Sequence, residues 1–252
     1  MAQTATFAPG GYRYVRGPFQ YSGGVVAQPG FRIVRARLAR PMPIAQGFDA
    51  IAQHLTAADR PLTAFCACEL RSPSPFTDQG FIDFNRIYVG TLEAWGIFKT
   101  EENPVARSNV CPELRKPDEP CFYAFSYTVP DERAARPSFV IAGSGEATEA
   151  PGAYAERIVR YGETTESAMA DKARHVLSAM ETRMSALGVG WSDTTASQAY
   201  CVHDIHPFLA DEIVQRGAAD NGLTWYFARP PVIGLEFEMD VRGVDTELYL
   251  DP

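Results

Sequence analysis

The order of predicted elements runs twice along this chain, and that recurrence limits its fold more than any single motif. Hydrophobic spacing predicts a strand over 31–38, a helix over 46–58, a strand over 62–70, a helix from Thr77 to Gly96, and strands at 106–112 and 121–129. Next come a strand over 138–145, a helix over 165–188, a strand over 194–203, a shorter helix over 207–218, and strands at 224–230 and 234–242. Each half reads β-(β)-α-β-α-β-β, which an internal duplication explains more economically than one continuous α/β wrap. The dividing stretch, "VPDERAARPSF" at 129–139, is polar and bracketed by Pro130 and Pro137, residues that restrict the backbone and remove donors. The expected architecture is α+β, with two tandem domains at 1–132 and 133–252, each a mixed sheet backed by two helices.

Both long helices carry their own start and packing signals. Thr77 is a side-chain cap for a helix whose Phe81, Phe84, Tyr88, Leu92 and Trp95 keep helical spacing. Met169, Ala173, Val176, Met180, Met184 and Leu187 form the second stripe, and its methionines read as core filler rather than a metal box.

Composition removes whole classes of function. A formal net charge of −8 over 252 residues argues against a phosphate-backbone partner, which usually meets a basic stripe. No apolar run approaches the roughly 20 residues of a membrane helix, and "MAQTATFAPGGYRYVRG" has no apolar core of the signal-peptide kind. A cytoplasmic location is the expectation. The five cysteines form no framework and read as buried small apolar residues, with Cys66 and Cys68 on one face of a strand.

An Ala-Arg pair stands at the lip of a strand in each half, in "NPVARSNV" (103–110) and "YFARPPV" (226–232), about half the chain apart. The first half places Phe81, Phe84, Asn85 and Tyr88 on a helix, then Pro104-Val105-Ala106-Arg107-Ser108-Asn109-Val110. The second has a strand ending in Ala142-Gly143-Ser144-Gly145, then Ala228-Arg229-Pro230-Pro231-Val232 and the closing "LEFEMDV". In this order the chain resembles the Rid family, the reactive intermediate deaminases also labelled endoribonuclease L-PSP. Their motifs run F-x-x-N-x-x-Y, then P-x-A-R-S-x-V, then an acid on the last strand. The first half departs from that pattern, with Arg35-Ala36 about where the S-G turn would fall and no acid in "CFYAFSYTV". The resemblance therefore implies a degenerate N-terminal half and a more complete C-terminal site, or a composite site drawing on both. It also implies a homotrimer or another closed pseudosymmetric assembly.

Arg229 is the candidate carboxylate grip, because a guanidinium binds a carboxylate through two parallel hydrogen bonds. Glu236 and Glu238, two apart on a predicted strand, share one face and are the candidate proton carriers. The resemblance adds Gly143 and Ser144 as substrate-contacting positions at the glycine turn. Arg107 either lines a second site or braces an interface. "HDIH" (203–206) is the most metal-like stretch, but no further His or Cys cluster completes a zinc set, so neither metal nor other cofactor is expected. The long connection from 147 to 165 is a candidate lid or assembly arm. The chemistry implied by the resemblance is hydrolysis of a small carboxylate-bearing enamine or imine, such as an imino acid or an aminomuconate from aromatic-ring breakdown. Its alternatives are a chorismatase-like enzyme acting on a cyclic dicarboxylate, and a non-catalytic binder of small carboxylates.

Overall fold

Helix caps fall where the side chains allow them. In the computed structural model, which describes residues 2–148 and 152–251, Thr77 Oγ1 accepts from the Gly80 amide at 3.1 Å and Thr165 Oγ1 from the Ala168 amide at 3.3 Å. Gly188, left-handed at φ 80°, closes the helix that Thr165 opens.

Along the chain, β1 (Thr4–Phe7) and β2 (Tyr12–Val15) make a hairpin, followed by β3 (Gly24–Ala27), β4 (Phe31–Pro43), α1 (Ile44–Ala57), β5 (Phe65–Arg71) and α2 (Asp78–Ala94). Strands β6 (Ala106–Pro112) and β7 (Cys121–Pro130) end the first half. The second half holds β8 (Phe139–Gly145), the single turn α3 (Tyr154–Arg157), α4 (Glu166–Leu187) and β9 (Ala196–Cys201). After them come α5 (His206–Phe208), β10 (Leu223–Tyr226), β11 (Ala228–Arg229), β12 (Phe237–Gly243) and β13 (Thr246–Leu250). The expected helix over 207–218 is replaced by α5 and a π-helical stretch, Leu209–Val214, with Gln215 and Ala218 amides bonding five residues back. Of the expected lid or arm, residues 149–151 lie outside the described residues.

Two mixed sheets result. One has the order β11-β6-β5-β7-β4-β13 and the other β1-β2-β3-β8-β12-β9-β10. They trade strands across the 132/133 division. The N-terminal hairpin and β3 join the second sheet, where Val26 lies opposite Phe139. In return, β13 runs parallel to β4 at the edge of the first sheet, and β11 pairs with β6. The hairpin, β3 and β13 lie outside the elements read from the sequence, whereas β11 falls within the strand expected at 224–230.

Helices cover the outer faces. Phe48, Ile51 and Leu55 of α1 and Tyr88 and Leu92 of α2 pack on Leu70, Phe122 and Phe125 of the first sheet. The stripe of α4 packs on Ile141, Met239 and Val241 of the second, and every residue expected in it is buried. Between the sheets lie Tyr12, Ile33, Cys66, Ala106 and Ala142. Beside them sits a buried polar network. Arg35 donates to Glu69 at 2.6 Å, and Ser108, Gln198 and Tyr200 donate to Asp240 at 2.5, 2.8 and 2.9 Å. Burial raises the Glu69 carboxyl, but Arg35 outweighs it and brings the group down to about 2.

One local expectation fails for a clear reason. The register of β5 against β7 slips between Phe65 and Ala67, which places an extra residue, Cys66, in a bulge. Cys66 therefore turns between the sheets while Cys68 faces the helices, where its Sγ lies 3.3 Å from Tyr88 Oη. No helix of the described residues is long and apolar enough to cross a membrane.

Candidate active site

Strand β6 alternates its side chains between two environments. Ser108 points between the sheets to Asp240, so Arg107 and Asn109 share the opposite face. Both line a cleft of about 970 Å³ at the meeting of β6 from the first sheet with β8 and β12 from the second. Arg107 is 2% exposed, and none of its three nitrogens has a hydrogen-bond partner among the described residues. Four rings surround it instead, with centroids 4.8 Å (Tyr88), 5.1 Å (Tyr21), 5.6 Å (Phe84) and 5.8 Å (Phe81) from the guanidinium carbon. Ring faces attract a cation but supply no strong acceptor for its five N–H groups. A buried guanidinium left in that state is set up for an incoming anion.

The opposite wall comes from the second sheet. Gly143, Ser144 and Glu238 line the same cleft as Arg107. The glycine run is not the expected turn; residues 142–145 are in strand β8. What Gly143 provides is room, because a Cβ there would collide with Oε1 of Glu238 and lie 3.1 Å from the Ser108 Cα. Glu238 is buried, and burial pushes its carboxyl well above the ordinary range. The neighbouring acids Asp240 and Glu146 push the same way, while Arg107 and Arg71 oppose them. The result is a carboxylic acid that keeps its proton at pH values where an exposed glutamate has lost it.

Glu146 follows β8 and is wholly buried with Lys172 of α4, whose Nζ lies 3.2 Å from Oε1. Its carboxylate also accepts from the amides of Glu236 and Phe237 at 2.7 and 3.1 Å, which fixes the entry to β12 two residues before Glu238. On the α4 side His175, Thr182 and Arg183 line the cleft, and Tyr154 and Arg157 of α3 do so nearby.

Among the described residues, a buried guanidinium without a hydrogen-bond partner and a buried carboxyl pushed upward by burial thus line one cleft. Comparison with known proteins specifies the type. The family model for the 2-aminomuconate deaminase CnbZ matches residues 4–248. A 2-amino-5-chloromuconate deaminase from Comamonas testosteroni is 51% identical over 251 residues, covering 99% of this chain and 100% of that protein. The chain belongs to the 2-aminomuconate deaminase family. The expected class, an enzyme acting on a carbon–nitrogen bond in a carboxylate-bearing enamine, agrees with that membership.

In this deaminase the remaining residues expected from the sequence lie away from the cleft. Arg229 on β11 is 36% exposed in its side chain and already paired, donating to Glu113 at 3.0 Å and to Glu236 at 3.3 Å. Glu236 precedes β12, so strand alternation does not align it with Glu238; its Oε2 lies 2.8 Å from His203 Nε2. His206 bonds Asp204, and among the described residues no group of three or more His, Cys, Asp or Glu is arranged for a metal. The sequence reading passed over Asn109, Tyr21 and Arg183. For Asn109 a signal existed, since it stands two residues beyond Arg107 on the same strand.

Proposed function

We propose that this chain hydrolyses a 2-aminomuconate-type substrate, a dienedioate with an amino group beside one carboxylate, to ammonia and the 2-oxo diacid. The observation that carries the reading is the buried Arg107, without a hydrogen-bond partner among the described residues, in the same cleft as the buried carboxyl of Glu238. Arg107 grips the carboxylate next to the amino-bearing carbon through paired N–H···O bonds. Arg183, which donates to the Ala142 carbonyl at 3.4 Å, and Arg157, which donates to the Gly152 and Thr148 carbonyls, also line the cleft, and their positive charge suits the distal carboxylate.

Proton bookkeeping then follows from Glu238. Its carboxyl gives a proton to the enamine carbon, and the nitrogen lone pair forms the C=N bond. The resulting Glu238 carboxylate takes a proton from water as the water oxygen adds to the C=N carbon. Proton transfer to nitrogen lets the C–N bond break as the carbinol oxygen closes to C=O, releasing ammonia. Orientation and a positioned acid supply the rate advantage, with acid–base catalysis contributing about 10²- to 10⁴-fold. Gly143 and Ser144 shape the wall against which the acid rests.

The test is ammonia release from freshly generated 2-aminomuconate. Wild type should turn over, Arg107→Ala should bind poorly, and Glu238→Gln should bind without turnover. Release that is unchanged in both variants would sink this assignment.

The wider reading is a Rid-type pair of tandem halves, 1–132 and 133–252, whose site is composite. "PVARSNV" of the first half supplies Arg107 and the second half supplies Gly143, Ser144 and Glu238. A homotrimer fits the exposed apolar side chains Leu114, Phe227 and Ile233, and the acidic balance fits a cytoplasmic enzyme without a nucleic-acid partner. Light scattering at several concentrations tests the assembly; a monomer throughout would remove it.

A further inference from the structure

Asn109 is 3% exposed, lines the cleft, and presents an amide nitrogen with no hydrogen-bond partner among the described residues. Its other end is occupied: the Ser72 hydroxyl donates to Oδ1 at 2.9 Å. That bond fixes which way the carboxamide faces, carbonyl toward Ser72 and N–H groups away from it. Burying an unpaired amide donor disfavours the folded state, and native chains rarely tolerate it without a ligand or water to accept. Ser72 already ties its strand end to β6 through its own amide, which donates to the Val110 carbonyl at 2.9 Å. The Asn109 side chain is thus not needed to join these strands.

Arg107 and Asn109 stand two residues apart on one face of β6, roughly 7 Å between Cα atoms, and both have unpartnered donors. A carboxylate offers about four lone-pair sites, and a two-pronged guanidinium takes two of them.

We propose that Asn109 is a further substrate-binding residue, its Nδ2 donating to the same substrate carboxylate that Arg107 grips, with Ser72 setting the amide's orientation. The pair forms a clamp of one charged and one neutral donor, which fixes the rotation of the carboxylate about its bond to the amino-bearing carbon. That rotation sets where the reacting carbon lies relative to Glu238. This inference rests on the proposed deaminase reading.

The test is steady-state kinetics on 2-aminomuconate with Asn109→Ala and Asn109→Asp beside wild type and Arg107→Ala. Removing one hydrogen bond to a charged group should raise KM about tenfold in Asn109→Ala with kcat within about threefold. Asn109→Asp keeps an acceptor toward Ser72 but turns an oxygen on the substrate, so KM should rise further. A KM within twofold of wild type in both variants, with only a lower melting temperature, would make Asn109 a strand clamp and overturn the proposal. If either variant fails to fold, the side-chain amide of Asn109 can be followed in wild type by ¹⁵N NMR during titration with muconate, the diacid lacking the amino group. A shift that saturates with binding supports the contact, and no shift at saturation overturns it. Deamination impaired by Arg107→Ala but not by the Asn109 changes defeats this inference alone. Wild type without ammonia release defeats the deaminase reading with it.

Discussion

The carboxyl group of Glu238 occupies the space that a side chain at Gly143 would need: a Cβ there would overlap Oε1 and come within 3.1 Å of Cδ. The acid and the glycine belong to adjacent antiparallel strands, β12 and β8, so the absence of one side chain fixes the place of the other.

Gly143→Ala should therefore act on chemistry more than on binding. The added methyl must displace the carboxyl or spread the strands, an overpacking cost of about 1–3 kcal/mol. Kinetics should show kcat falling at least tenfold with KM changed less, and urea unfolding should report the stability loss. Wild-type kcat in this variant would mean that Glu238 need not stay where it is.

The two arginines of the repeated Ala-Arg motif should separate cleanly. Arg107→Ala should raise KM by roughly 10- to 100-fold, the loss of a charge-assisted pair. Arg229→Ala should leave kcat/KM within about threefold, because its guanidinium is engaged with Glu113 and Glu236 outside the cleft. The reverse ranking on 2-aminomuconate would move the site to the β11 edge.

Stability and activity should both decline toward alkaline pH through Glu238. Its folded-state pKa is raised by burial, then by Asp240 and Glu146, above the ordinary value of about 4.3. A carboxyl raised in this way contributes stability that is fully present below the unfolded pKa and lost as pH rises through the folded one. Urea midpoints above the ordinary carboxylate range should thus fall less steeply with pH in Glu238→Gln than in wild type. The rate of wild type should fall as pH passes the same raised value, and the Gln variant should lose about 10²- to 10⁴-fold in kcat. Parallel stability profiles for the two proteins would contradict this.

Lys172→Met should be among the more damaging changes remote from substrate. Lys172 and Glu146 are both wholly buried, and removing one partner leaves the other as an uncompensated charge, a cost of about 3–5 kcal/mol. Adding Glu146→Gln to Lys172→Met should recover part of that loss in chemical denaturation. A double variant less stable than the single one would show that the amide contacts of Glu146 outweigh the ion pair.

Much of this molecule was legible because its signals are local. Thr77 and Thr165 cap their helices within one turn, and the stripes on α2 and α4 repeat at helical spacing over several turns. The hairpin β1–β2 was not legible: four-residue strands interrupted by Pro9, Gly10 and Gly11 carry too little pattern. Nor could local sequence rank Arg107 against Arg229, since each follows an alanine at a strand's start. What separates them is a partner: Glu113, which takes up Arg229, lies 116 residues away in the chain, whereas Arg107 is surrounded by rings and has no hydrogen-bond partner among the described residues. Cys66 misled for a related reason, because its bulge exists only in the pairing of β5 with β7.

The parallel pairing of β13 with β4 has a consequence during synthesis. About 200 residues separate the end of β4 from the strand that covers its edge. At roughly 5–20 residues per second, a ribosome leaves that edge bare for roughly 10–40 s. Throughout that interval the nascent chain offers an unpaired strand to any neighbour, on a polysome most often another copy of itself.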